Sequence, residues 1–377
     1  MPTNDPKRRI RNAYEEGKPI RVPVSLGANP RVWVLDPKWN TGGVTFEEYF
    51  TDAAAVIEAQ LGFMEYRARF LNHYCDDPVG RPEGLEFHVD NLNSYDAMYF
   101  GAPAVFRDGQ VPDTEPILAG RDKDRIFKLD IDRPMDNPFI CDVLRRHEDL
   151  TEAVGSLSYH GMTFTVQPPL LGFDGELTIA TALRGTELYG DFYEDPPYVR
   201  RLMEFIQRAV IVRNRAVAER FGRTAFEGKR GGHADDSVQL ISTEMYAEFV
   251  LPLHRKWYAL WSVEGPHSMH LCGDATRHFP LIRRELNVLT FDTGFPVDHG
   301  RLRRVLGPEV TIQGGPEVAL LLNGTPQQVH RRTRDILQSG VMEGGRFLLR
   351  EANNLPPCCP AANLQAMYEC CLEHGSY

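Results

Sequence analysis

Four runs of the chain decide the fold: Ser268-Met269-His270-Leu271-Cys272, Val288-Leu289-Thr290-Phe291-Asp292, Val310-Thr311-Ile312-Gln313 and Arg346-Phe347-Leu348-Leu349-Arg350. Each is short, apolar and of strand type. Helical spacing follows the first three, over 278–286, Asp298–Leu306 and Thr325–Gln338. Strands that alternate with helices in this way form βα units around a parallel sheet.

The pattern extends upstream. Arg21–Leu26 is a first strand reaching Gly27, and Leu85–Asn91 and Met162–Val166 are two more. Thr45 caps a long helix running to Phe70, with Glu47 and Glu48 in its first turn. Asp195 precedes a helix over Pro196–Glu219, which opens on proline. His233–Leu240 reads as strand and loop, after which Ser242-Thr243-Glu244 opens another helix. About eight such units predict an α/β protein built as a (β/α)8 TIM barrel. The barrel takes residues 21–377 as one domain, behind an N-terminal helical extension over 1–20. An open doubly wound sheet is disfavoured, because no Gly-x-Gly-x-x-Gly turn follows the first strand.

A length of 377 residues suits a single barrel, and the net charge of -10 disfavours a nucleic-acid partner. Met1–Arg9 has no apolar core of a secretory signal, and no run approaches a membrane span. Seven cysteines, an odd number with two vicinal pairs (Cys358-Cys359 and Cys370-Cys371), read as the reduced thiols of a cytoplasmic protein. A homodimer is one option for its assembly.

Active sites of such barrels lie at the carboxyl ends of the strands. The polar residues collected there are Asp90, Asn91, His160, Asp235, Asp236, His270, Cys272, Asp292, Gln313, Glu351 and Asn353. His270 and Cys272 are two apart, so on an extended strand their side chains point the same way. Imidazole nitrogen and thiolate sulfur are zinc ligands, which makes the pair half of a metal site. Asp235-Asp236 serves equally well as a turn and helix cap. His160, beside Gly161, and His233 also suit loop positions.

The order of these pieces resembles the uroporphyrinogen decarboxylase superfamily, which includes true decarboxylases and zinc-dependent, cobalamin-linked methyltransferases. The resemblance runs from about Pro23 to Tyr368 and is strongest after Gly231. Ala234-Asp235-Asp236-Ser237 is similar to the family's acidic strand end. His270-Leu271-Cys272-Gly273 matches the ligand pair of the methyltransferase branch, and Thr311-Ile312-Gln313-Gly314-Gly315-Pro316 resembles a later strand end. The resemblance implies methyl transfer between a small substrate and a corrinoid carried on a partner protein. It implies zinc on His270 and Cys272, with Asp236 orienting a ligand or moving a proton. Asp292 and Gln313 would line the pocket, with Asn91, His160 and Asn353 toward substrate.

Two departures from the family's pattern matter. Where porphyrinogen decarboxylases carry several arginines, this chain has Ser25-Leu26-Gly27-Ala28-Asn29-Pro30-Arg31, too few cations for a multiply carboxylated substrate. A decarboxylase of a tetrapyrrole or smaller carboxylic acid, using Asp90 or Asn91, is therefore the second expectation. A non-catalytic corrinoid-binding module is the third. Where the methyltransferases supply another cysteine after the last strand, the chain has Asn353. Glu351 is the favoured replacement as third zinc ligand, with Cys358 and Asp236 as the other candidates.

Overall fold

The four deciding runs form four parallel strands, His267–Leu271, Val288–Thr293, Thr311–Gly314 and Phe347–Leu349, paired in chain order. They belong to a computed structural model that describes residues 5–77, 82–169, 171–228, 230–261 and 265–377. Met1–Asn4, the start of the segment read for a signal, lie outside the described residues. The chain divides into two units. One comprises Met1–Gly43, Gln60–Pro82 and Gly265–Tyr377, and the other Val44–Ala59 and Glu83–Glu264.

In the first unit, register sorts the side chains into rows. Met269, Phe291, Ile312 and Phe347 are neighbours across the ladder, and all four are buried. Full burial of such a side chain stabilises by about 1.5–3 kcal/mol. One residue further along lies the polar row His270, Asp292 and Gln313. Strand alternation thus turns the polar row away from the face that carries the apolar one.

The predicted first strand is reduced to two isolated bridges, an antiparallel one between Arg21 and Ser376 and a parallel one between Val24 and Leu349. Leu349 N–H donates to the Pro23 carbonyl at 3.0 Å and Ser25 N–H to the Leu349 carbonyl at 2.9 Å. Pro23 has no N–H with which to extend that ladder. Asp76 ties the segment down by accepting from the Arg21 guanidinium at 2.6 and 2.8 Å and from Val24 N–H at 2.8 Å.

The intervening helices follow their start signals. Phe279–Leu286 buries Phe279, Ile282 and Leu286, and Asp298 caps His299–Leu306 by accepting from Arg301 N–H at 2.9 Å. Thr325 and Gln328 form a reciprocal capping box on Pro326–Ile336. That helix packs on Ala361–His374, which buries Cys370 and Cys371. Pro6–Glu15 is helical, as the N-terminal segment was expected to be. All seven cysteines are free thiols.

Burial pushes the His299 imidazole down to about 4, and neither ring nitrogen has a hydrogen-bond partner among the described residues. The unfolded ring titrates near ~6.5, so between these values the unfolded chain binds more protons. Its contribution to stability is therefore complete above the unfolded pKa and is lost as the pH falls toward the folded one. Urea unfolding of the wild type should lose about 2 kcal/mol more than His299→Leu between pH 7.5 and 5. Parallel pH profiles for the two proteins would remove His299 as a source of acid lability.

In the second unit Gly84–Phe87 pairs in parallel with Thr163–Val166, and Gly232–Ala234 is a further short strand. The strand expected over Leu85–Asn91 ends at Phe87, which leaves Asp90 and Asn91 in the loop beyond it. The helix expected over Thr45–Phe70 breaks at Asp52 (φ -116°, ψ 124°) into Phe46–Thr51 and Ala53–Arg69. Thr45 caps the first of these through a reciprocal pair with Glu48. Asp195 caps the long helix Pro196–Arg220, which buries Leu202, Ile206, Val210 and Arg213.

The protein is thus an α/β fold with parallel strands. Among the described residues the ladder of neither unit closes on itself. No described helix is long and apolar enough to cross a membrane.

Candidate metal centre

His270 is the fourth residue of its strand, and Cys272 follows the strand's last residue. Glycines hold this end. Gly273 takes φ +71°, and a Cβ on Gly294 would run into the Cys272–Gly273 backbone. Gly294 N–H donates to the Leu271 carbonyl at 2.9 Å. The chain can therefore pass close behind the thiol.

His270 Nε2 lies 2.9 Å from Cys272 Sγ, and His270 Nδ1 lies 2.8 Å from Asp292 Oδ2. A carboxylate only accepts hydrogen bonds, so in the neutral ring Nδ1 carries the proton and the Nε2 lone pair faces the sulfur. A histidine backed by a carboxylate in this way is the usual support of a metal-binding imidazole. Asp292 Oδ1 is buried with no hydrogen-bond partner among the described residues.

Arg350 joins this pair to the last strand. Its Nη1 donates to Asp292 Oδ2 at 2.9 Å, and its Nη2 donates to Glu351 Oε1 at 2.9 Å and to the Asn353 carbonyl at 2.7 Å. Burial works against its charge, but the neighbouring Glu351 and Asp292 outweigh it and raise the Arg350 pKa. Arg350 was missed as a site residue. Its signal was present, since it is the charged residue immediately after the apolar run Phe347–Leu349.

Glu351 is fully buried and accepts from Gly27 N–H at 3.0 and 3.2 Å. Burial pushes its carboxyl up to about 7, against the pull of Arg350. Its oxygens are committed to Gly27 and Arg350, a different partner set from that expected of a third ligand beside His270 and Cys272. Cys358 is exposed at φ +58°, with Sγ 3.7 Å from the Leu35 carbonyl. Asn353 sits at φ +132°, where its N–H donates to the Glu351 carbonyl at 2.9 Å. Gln313 is half-buried beside Asp292 in the polar row.

The remaining expected residues belong to the second unit. Asp90 accepts from Leu92 N–H at 2.7 Å and from the Tyr49 hydroxyl at 3.2 Å. Asn91 is buried, and its Oδ1 accepts from Arg146 Nη2 at 2.8 Å. Asp236, half-buried, opens the short turn Asp236–Leu240. His160 needs correction: it precedes Thr163–Val166 and stands exposed in a turn at φ +49°. It is therefore at the amino end of that strand, away from the edge where barrel sites form. His233 also departs from its loop reading, since it is buried in the Gly232–Ala234 strand.

The donors decide whether a metal fits here. His270 and Cys272 supply nitrogen and sulfur of the kind zinc takes, and Asp292 orients the imidazole. They fit half of a zinc site.

A parallel α/β protein with an imidazole–thiol pair at the end of one strand is the class these features define. The family model for uroporphyrinogen decarboxylase (URO-D) matches residues 96–374, and the chain belongs to that family. A methylated-thiol–coenzyme M methyltransferase of Methanosarcina mazei is 35% identical over 139 residues, 36% of this chain and 35% of that protein. The methylcobamide:CoM methyltransferase MtbA of the same organism is 25% identical over 205 residues, 54% of this chain and 57% of that protein. The matches thus span about a third and a little over half of these curated relatives. A solved structure of a methyltransferase from Methanosarcina mazei superposes with a TM-score of 0.62 at 14% identity. That superposition covers 97% of this chain and 98% of the other, and it is a likeness of fold.

Proposed function

We propose that this chain is a methyltransferase that moves a methyl group between a small substrate and a corrinoid carried on a partner protein. The single observation that carries the reading is the His270–Cys272 contact with Asp292 behind it. The activities for which the relatives are named, methyl transfer from a cobamide or a methylated thiol to coenzyme M, support it. The alternation of strands and helices supports a (β/α)8 barrel over residues 21–377, with 1–20 as an extension.

His270 and Cys272 would hold zinc, with the third ligand drawn from Glu351, Cys358 and Asp236. Bound there, the metal would lower the pKa of a substrate thiol or hydroxyl so that it reacts as the anion. Asp292 keeps the His270 Nδ1 proton in place, which leaves Nε2 as the donor atom. Arg350, just past the end of Phe347–Leu349, holds Asp292 and its own chain neighbour Glu351 in position. Gln313, in the same row as His270 and Asp292, offers an amide to orient substrate, and Asp236 would orient a ligand or move a proton. The tie between Asn91 and Arg146 counts against a decarboxylase using Asn91.

The test mixes zinc-loaded protein with methylcobalamin and small thiols and follows cobalamin absorbance. Loss of the methyl–cobalt spectrum that requires zinc, thiol and protein together is the expected result. Corrinoid binding without turnover would reduce the chain to a binding module. Consumption of a porphyrinogen without metal or corrinoid would make it a decarboxylase.

A further inference from the structure

Four ionisable side chains meet in the interior of the second unit. Glu176 starts the helix Glu176–Arg184, His233 lies on the Gly232–Ala234 strand, Asp235 follows it, and His254 lies on the helix Leu251–Tyr258. Each side chain is sealed from solvent. Glu176 Oε2 is 3.2 Å from His233 Nε2 and 3.5 Å from His254 Nε2, which in turn is 3.1 Å from Asp235 Oδ2. We propose that Glu176 Oε2, His233 Nε2 and His254 Nε2 form a second metal site, for a divalent first-row transition metal, with the Asp235 carboxylate beside it.

Geometry is the first argument. Donors about 2.0–2.1 Å from a tetrahedral zinc lie about 3.3 Å from one another. The three measured separations fall on either side of that edge length. The ligand atoms of Glu176, His233 and His254 all lie within 4.8 Å of one another.

Charge is the second. Two carboxylates and two imidazoles are sealed together in this interior. One proton on His254 Nε2 cannot serve both carboxylates fully. A divalent ion neutralises two carboxylates and leaves both imidazoles neutral, which is the composition of this cluster.

Outer support is the third. Gln207 Nε2 donates to Glu176 Oε1, the oxygen not facing the imidazoles. Asp235 Oδ1 accepts from Thr178 N–H and Oγ1, both at 2.8 Å, and Oδ2 accepts from Leu177 N–H at 3.1 Å. His254 Nδ1 is 3.0 Å from the Tyr246 hydroxyl. The far atoms of Glu176 and His254 are therefore held, as outer partners of a metal site are, and Asp235 is fixed beside His254. Among the described residues His233 Nδ1 is buried without a hydrogen-bond partner, so His233 is the ligand that lacks this outer support.

The test uses the full chain carrying His270→Ala and Cys272→Ala together, which removes the first site. The protein is produced in zinc-supplemented medium, passed over a chelating resin and analysed for metal. Near-stoichiometric zinc is expected, with X-ray absorption showing only nitrogen and oxygen neighbours. Adding Glu176→Gln, or His233→Asn should that variant not fold, should release the zinc and lower the melting temperature. A folded His270→Ala/Cys272→Ala protein without zinc, iron or manganese would overturn the second site. Sulfur in the zinc shell would also overturn it, by placing the ion at His330, Cys370 and His374. Loss of zinc on Cys272→Ala alone tests the first site, so the two readings fail separately.

Discussion

Cys272→Ala is expected to abolish zinc-dependent methyl transfer while leaving the fold intact. The thiol is half-buried and its removal opens no large core space. It does remove the softer of the two paired donors, and zinc affinity rests on its ligand set. Asp292→Asn is the graded companion. The amide is similar in size but neutral, so His270 Nδ1 loses its carboxylate and Arg350 Nη1 loses a charged partner. Loss of such an outer partner typically costs about 10–100-fold in metal affinity or activity. The order wild type, Asp292→Asn, Cys272→Ala in zinc retention and in kcat/KM is the expected result. Full activity in Cys272→Ala would end the metal reading of this pair.

The largest stability loss is expected at Arg213. Its guanidinium is completely buried, with Nη1 2.7 Å from Asp96 Oδ1 and Nη2 donating to the Gly172 carbonyl at 2.9 Å. Burial raises the Asp96 pKa, against the pull of Arg213 and the Asp174 N–H. Arg213→Leu leaves that carboxylate alone in the interior, which costs about 3–5 kcal/mol. This is a large part of the roughly 5–15 kcal/mol that holds a native chain together. Adding Asp96→Asn should recover part of the loss, because the stranded charge is gone. Urea unfolding of the single and double variants reads both effects, and a single-variant loss below about 1 kcal/mol would contradict the burial argument.

Much of the fold was legible because its signals are local. Apolar runs of four to six residues became the strands Val288–Thr293 and Thr311–Gly314. Thr45, Asp195, Asp298 and Thr325 each cap the helix they precede. The failures also have local causes. Pro23 interrupts a ladder, and extended backbone at Asp52 splits a helix whose apolar spacing continues across the break.

The candidate metal pair was legible for the same reason. His270 and Cys272 are two apart at the carboxyl end of a strand, and strand geometry alone aims them together. Their support was not legible. Asp292 reaches His270 because two parallel strands pair those positions, and Arg350 reaches Asp292 from a third strand. Glu351, singled out for metal, meets Gly27, 324 residues away. Glu176, His233, Asp235 and His254 come together only when a helix start, a strand and a second helix pack into one interior.

The sequence by itself therefore determined the alternation of elements, their caps and the imidazole–thiol pair, because backbone periodicity and short-range hydrogen bonds act within a few residues. Tertiary structure alone decided which charges lie behind the pair and which are sealed into the core. Those partners are chosen by strand register and by exclusion of water, and neither is written in the spacing of neighbouring residues.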